Sequence, residues 1–283
     1  LARSIHNPHP EVSLRTLFLP VWYEGYAAPK WVWQTTGGSD AFEPKMSLWP
    51  LIFGTLKATL YAMLFSVPLA LMAAVYVSQL APAWLQSTVK PTVELMAAGP
   101  SVVVGFLAAL WLAPRLEAAL LSSLIAGLAL PFAVFLALGM WRVVPDEVRR
   151  RVPPGGELLP LLVAGVLVIA TVVLLADPIE SRLFGGDFQR WLFTEWGFRY
   201  DQRNSIVVGL GLGFAVIPVI FTIAEDACSA VPRALVNASR ALGATRCQTA
   251  VKLVVPAASP GLFAAAMLGL GRAVGETMIV LMA

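Results

Sequence analysis

Residues 204–224 read NSIVVGLGLGFAVIPVIFTIA, an apolar run without a charged side chain. The hydrocarbon core of a bilayer is about 30 Å thick and takes roughly 20 apolar residues as a helix, so this run is long enough to cross it. Pro218 falls inside the run. A membrane helix tolerates that, because neighbouring helices satisfy the carbonyl that proline frees. Five more windows of similar character lie along the chain: Leu51–Val77, Leu95–Pro114, Ala118–Trp141, Leu158–Ala176 and Pro260–Ala283. Lys57 is the single charge of the first, close enough to its start to reach the interface. Arg272 and Glu276 lie within the last. The expected fold is an all-α polytopic transmembrane helical bundle.

Composition points the same way. Of 283 residues, 58% are hydrophobic and 13% are charged, against about 25% charged in soluble domains; mean hydropathy is +0.75. These values exclude a disordered chain, a soluble nucleic-acid binder and an ordinary soluble enzyme. Membrane lipid is therefore an expected partner and nucleic acid is not. The formal charge of +3 is no polybasic signature. Cys228 and Cys247 fit no metal spacing and make no disulfide framework. His6 and His9, in HNPH, read as a solvated loop rather than metal ligands, and Glu225 with Asp226 as solvated carboxylates at a helix end. No metal and no cofactor is expected. The chain has no G-x-x-x-x-G-K-[ST] run to hold ATP, and no credible Ser/His/Asp or Cys/His nucleophile set.

The polar stretches give organisation. Residues 1–48 carry Trp22, Tyr23, Tyr26, Trp31 and Trp33 among turn residues, and WVWQTT has strand propensity. They are expected to be the remnant of a soluble periplasmic segment, in a chain that is part of a longer protein. Residues 142–157 (RVVPDEVRRRVPPGGE) are charged and rich in Pro and Gly. Residues 177–203 set arginines and acids among Trp191, Phe193, Trp196, Phe198 and Tyr200, rings that favour a membrane–water boundary. Six alternating spans place 79–94, 142–157 and 225–257 on one face, with Lys90, Arg142, Arg149, Arg150, Arg151, Arg233, Arg240, Arg246 and Lys252. The other face holds Arg115, Arg182, Arg190, Arg199, Arg203 and the amino-terminal stretch. The bias makes the first face cytoplasmic.

Residues 237–256 read NASRALGATRCQTAVKLVVP. Helical stretches flank Gly243, which can reverse the chain because glycine tolerates positive φ, and Pro256 is expected to end the second helix before the next span. The product is a short helix–turn–helix projecting from the membrane. The stretch resembles the EAA loop of ABC importer permeases, Glu-Ala-Ala, three residues, Gly, nine residues, Ile-x-Leu-Pro. Asn237, Ala238 and Ser239 stand at the Glu-Ala-Ala positions, with Asn replacing Glu; Gly243 and Ala244 make the turn, and Leu253, Val255 and Pro256 match the end. Further on, SPGLFAAAMLGLGRAVGETMIVLMA, with GRAVGET at Gly271–Thr277, resembles permeases of the high-affinity phosphate importer, the Pst system, of the PstC type. IFGTLKATLYAMLFSVPLALMAAVYVS, ELMAAGPSVVVGFLAALWLAP and YDQRNSIVVGLGLGFAVIPVIFTIAEDA resemble its other core spans.

The resemblance implies the type I (MetI-like) permease fold over 49–283, with 115–176 an added hairpin and 225–257 the cytoplasmic coupling loop. It implies a multi-pass subunit of the bacterial inner membrane that moves inorganic phosphate. Its partners would be ATP-binding cassette subunits that bind and hydrolyse the ATP, a second permease, and a periplasmic phosphate-binding protein. The substrate-pathway candidates are Arg272, Glu276 and Thr277. Arg offers a planar fork of donors that binds a tetrahedral oxyanion bidentately, and a lone charge in mid-membrane is costly enough to need a cavity or a partner. On one continuous helix Glu276, four residues on, shares the face of Arg272 and can balance it. A purely structural Arg–Glu pair is the competing explanation. Gly209 with Gly213, and Gly271 with Gly275, are small-xxx-small pairs that permit close helix approach. Other readings are a permease for sulfate or molybdate, against which GRAVGET speaks; an ATP-independent transporter or channel, which would need no docking loop; and a phosphate-sensing scaffold.

Overall fold

The computed structural model describes residues 12–37, 43–127, 129, 158–197, 200–201 and 204–282. A short helix, α1 (Leu14–Phe18), and a two-stranded antiparallel ribbon, β1 (Trp33–Gln34) and β2 (Lys45–Met46), precede the long helix α2 (Trp49–Gln79). After α2 come α3 (Ala83–Ala97) and α4 (Ser101–Ala118). After residue 157 come α5 (Leu158–Leu183), α6 (Phe188–Trp196), α7 (Ser205–Ser229), α8 (Arg233–Ala241), α9 (Arg246–Gly275) and α10 (Thr277–Met282). Helices α2, α4, α5, α7 and α9 are long and apolar enough to cross a membrane. Most of the expected third span, 118–141, and the Arg-rich stretch 142–157 lie outside the described residues, as do His6 and His9.

The core forms where α7 meets α2 and α9. Asn204 starts α7 as its N-cap, its side-chain oxygen accepting from the Ile206 and Val207 amides at 2.9 and 3.1 Å. The face of α2 that meets α7 is a stripe of small residues spaced by four: Ala58, Ala62, Ser66, Ala70 and Ala74, all buried. Gly209 and Gly213 lie on that stripe. A Cβ at Gly209 would stand 2.7 Å from Cβ of Tyr61, and one at Gly213 would stand 3.1 Å from the Ala62 carbonyl oxygen. Their close packing is the small-residue approach that membrane helices use in the absence of a hydrophobic drive between them. Leu212, Val216, Ile220 and Phe221 of α7 and Val254, Ala258, Leu262 and Ala265 of α9 complete the core. The outer faces are apolar and exposed, as Leu60, Leu64, Met72, Leu174 and Phe263 show, and are suited to lipid.

Prolines set the breaks, though not always where the sequence placed them. The second window does not run unbroken from Leu95: Gly99 and Pro100 separate α3 from α4, because the residue before proline is driven out of the helical region. Pro256, by contrast, does not end a helix. α9 runs through it from Arg246 to Gly275, by way of a π turn at Ala250–Val254. A second π turn, Ala108–Leu112, stands in the same relation to Pro114 in α4. In each case the widened turn ends two residues before a proline. The looser i→i+5 pattern absorbs the missing N–H and the ring that would otherwise clash with the preceding turn.

Candidate functional site

The ends of α2 and α7 define one face of the bundle. Both helices stop in a two-residue turn closed by a proline, Pro82 or Pro232, which caps the next helix. Lys90 of α3 reaches the last turns of α7, with its Nζ 2.8 Å from Glu225 Oε2 and 2.9 Å from Asp226 Oδ1. The Ser229 hydroxyl donates to the other Glu225 oxygen at 2.7 Å. Glu225 is only 8% exposed. Hydrogen bonds from Lys90 to Glu225 and then to Asp226 raise the lysine pKa well above its usual value. The sequence reading took Glu225 and Asp226 as solvated acids; Glu225 is instead buried and paired. The sequence signal for this pairing is Lys90 itself, the one cation of 79–94, on the same side of the membrane as those acids. The contact also places 79–94 and the stretch after 225 on one side, as the charge bias required. At the other end the Gln189 side chain donates to the Glu117 carbonyl at 2.6 Å, joining the foot of α4 to α6.

Four residues after Ser229 the chain enters the projecting loop. α8 ends in a Schellman motif: the Ala244 amide donates to the Ser239 carbonyl at 3.2 Å and the Gly243 amide to the Arg240 carbonyl at 3.0 Å. Gly243 has φ +90°, the left-handed value such a turn demands. Thr245 then caps α9 in a reciprocal box with Gln248. The two arms are tied beside the turn by a 3.1 Å hydrogen bond between the hydroxyls of Ser239 and Thr249, the latter buried. Asn237 and Ala238 are exposed on α8, while Leu253 and Val255 are half-buried and Pro256 is exposed on α9. At the tip Leu242 is 90% exposed, with Leu235 and Val251 exposed below it. The turn thus carries an exposed apolar tip between helices whose outer faces carry polar side chains.

The membrane-embedded charges sit elsewhere. α9 does not continue to Ala283 as one helix. It ends at Gly275, Glu276 takes an extended conformation (φ −83°, ψ 94°), and α10 begins at Thr277. Glycine at 275 is a poor helix former, which weakens the ladder at that point. Depth follows from the neighbours. Gly269 packs on Val216 and Ile220, near the middle of α7, and Ile279 packs beside Gly211, nearer its start. Arg272 and Glu276 fall between these levels, inside the membrane. Arg272 and Thr277 are exposed and Glu276 half-buried. The ion pairs found among the described residues are those of Lys90; the expected Arg272–Glu276 pairing is not formed, because the break takes Glu276 out of helical register. Positions 271 and 275 would meet nothing within 4 Å among the described residues if given a Cβ. The close approach that explains Gly209 and Gly213 inside this chain therefore does not explain Gly271 and Gly275.

A second feature at membrane depth is an open cleft of about 490 Å³ lined by Phe65, Val104, Leu107, Trp111, Leu210 and Phe214, among others. Its walls are almost wholly apolar and offer nothing to a phosphate oxygen. No group of three or more metal-ligating side chains occurs among the described residues.

These features define a polytopic helical membrane protein with an exposed helix–turn–helix on one face and charges at a helix break within the bilayer. The chain belongs to the family of binding-protein-dependent transport system inner membrane components, whose pattern it matches over residues 66–283. It is similar to a probable ABC transporter permease, YqgH, of Bacillus subtilis, with 28% identity over 240 residues covering 85% of this chain and 53% of that protein. It is similar to the phosphate transport system permease protein PstC of Pasteurella multocida, with 29% identity over 230 residues (81% and 53%). PstC of Mycobacterium leprae is 26% identical over 232 residues (82% and 54%). The chain thus spans about half the length of the curated relatives it matches. No solved structure matches it significantly.

Proposed function

We propose that this chain is a membrane-spanning part of a permease subunit that carries inorganic phosphate across the bacterial inner membrane, driven by ATP hydrolysed in a separate subunit. The observation that carries the reading is the loop from Arg233 to Pro256, a Schellman-capped knob bearing Leu242 at its tip, in a chain whose relatives include PstC permeases. Ion-coupled carriers have no use for such a knob; a cassette ATPase that must push on a membrane helix does. Asn237, Ala238, Ser239, Gly243 and Ala244 shape the knob, and Leu253, Val255 and Pro256 root it in α9.

Arg272 then serves the anion's path, with Glu276 and Thr277 beside it at the break. An arginine exposed on one chain at that depth has to be covered by a cavity or a second protein, since bare lipid contact costs about 2.5–3.5 kcal/mol or more. A second permease subunit supplies that cover, and Gly271 and Gly275, bare in this chain, let it come close. A periplasmic binding protein delivers the phosphate. The reading is tested by phosphate uptake in a strain lacking its own phosphate importer, with the full-length gene and its partner subunits, and sulfate and molybdate as competitors. Phosphate-selective uptake abolished by Gly243→Pro supports it. Uptake that survives Gly243→Pro removes ATP coupling through this turn, and uptake suppressed equally by sulfate removes phosphate as the cargo.

A further inference from the structure

The segment ahead of α2 is folded onto the start of that helix. Its kernel is Tyr23, which is 3% exposed. A bridge joins Val21 to Lys30, the ribbon pairs Trp33 with Met46, and the Trp49 indole donates to the Phe18 carbonyl at 2.8 Å. Trp31, Trp49, Pro50 and Phe53 line an open apolar cleft of about 440 Å³. Trp49 is the first residue of α2, and Phe53 lies about 6 Å further along its axis. Phe53 is 67% exposed, and Leu56, Leu60 and Leu64 continue its row along the span, exposed as well. The cleft is therefore continuous with lipid-facing surface and sits at the level where the span leaves the membrane.

The rest of the cap has the chemistry of that level. Trp22 is 67% exposed, with its indole N–H donating to the Tyr26 carbonyl at 2.7 Å. Lys30 and Lys45 hold their ammonium groups over the Tyr26 ring, 5.7 and 4.9 Å from its centre, and Lys57 lies 5.9 Å over Tyr61 within the first turns of α2. Exposed indoles interleaved with lysines match a headgroup layer, where an apolar body and a wet polar edge are both accommodated.

We infer that residues 12–37 and 43–48 form a cap lying on the leaflet where α2 begins, and that the cleft of Trp31, Trp49 and Phe53 takes a phospholipid of that leaflet. An acyl chain follows the Phe53 row, and the headgroup stays on the cap side, where Lys30 adjoins Trp31. The inference depends on the membrane crossing of α2 and not on what is transported. It is tested on the full chain in phosphatidylethanolamine–phosphatidylglycerol vesicles, with Cys228→Ala and Cys247→Ser removing the native thiols. Nitroxide labels go singly at Trp31→Cys, at Trp22→Cys (which leaves the cleft intact), at Phe53→Cys and at Leu242→Cys as the aqueous reference. The ratio of collisions with oxygen to collisions with a water-soluble nickel chelate is expected to be several-fold higher at 31 and 22 than at 242, and higher still at 53. Labels at 31 and 22 as wet as 242, while 53 reports lipid, overturn the inference. So does a label at 31 that is shielded only once a soluble binding protein is added, which gives the cleft to a protein.

Discussion

At the scale of single residues, Arg272 is the group on which transport should turn. Its guanidinium is free of any described carboxylate and presents a fork that lysine lacks. Arg272→Lys keeps the charge and the length, and is expected to cut phosphate uptake by on the order of tenfold, the cost of about one charge-assisted hydrogen bond. Uptake at the parental level would mean that only charge is used. The glycines divide into two sets that mutagenesis can separate. Gly209→Val forces branched carbons against Tyr61 and the Ala58 carbonyl and is expected to cost about 1–3 kcal/mol through overpacking, read as a lower thermal midpoint in detergent. Gly271→Ala meets open space in this chain and should leave that midpoint unchanged while lowering uptake in the assembled complex. The sequence marked the four glycines by their small-xxx-small spacing and Arg272 by the cost of a charge in mid-membrane. It did not show which glycine pair packs within the chain, because a small residue does not name its neighbour. Nor did it show Glu276 leaving the helix, because an i,i+4 spacing is silent about a break between the two positions.

Among the elements, the link between α3, α7 and the loop was hidden in the sequence for another reason: Lys90 and Glu225 are 135 positions apart. Lys90→Ala strips a buried carboxylate of its cation and leaves only Ser229, and is expected to destabilise the chain by about 1–3 kcal/mol. The double exchange Lys90→Glu with Glu225→Lys should restore part of that loss if the pair acts through charge. The pH dependence has a definite sign. A lysine whose folded pKa is raised adds stability that is fully present below its unfolded value and is lost only as pH climbs through the folded one. The stability difference between wild type and Lys90→Met should therefore stay flat from about pH 7 to about pH 9; a difference that shrinks across that window would place the lysine proton within it. The turn at Gly243 was legible, since a glycine between two helical stretches with a proline downstream has few other uses. The passage of α9 through Pro256 was not, because the usual reading of proline as a helix stop leaves out the π turn that relieves it.

For the molecule as a whole, alternating apolar windows and the lysine–arginine bias were enough to read a helical bundle, and the family match agrees. What the windows could not supply was depth: that Arg272 lies between the levels of Ile220 and Gly211, and that the segment ahead of α2 folds against the start of that helix. Both depend on contacts between segments far apart in the chain. Among the described residues the turn at Gly243 presents an exposed apolar tip, and on the proposed function work done in a separate subunit enters through it. The most direct measurement is site-specific crosslinking in native membranes, with a photoreactive amino acid at Leu242 of the full-length protein and position 174 on the lipid-facing side of α5 as the control. The expected result is that position 242 captures an ATP-binding subunit, with a yield that changes when ATP is trapped, and that position 174 does not. Retained phosphate uptake with no ATP-binding protein captured from position 242 would contradict the proposed coupling.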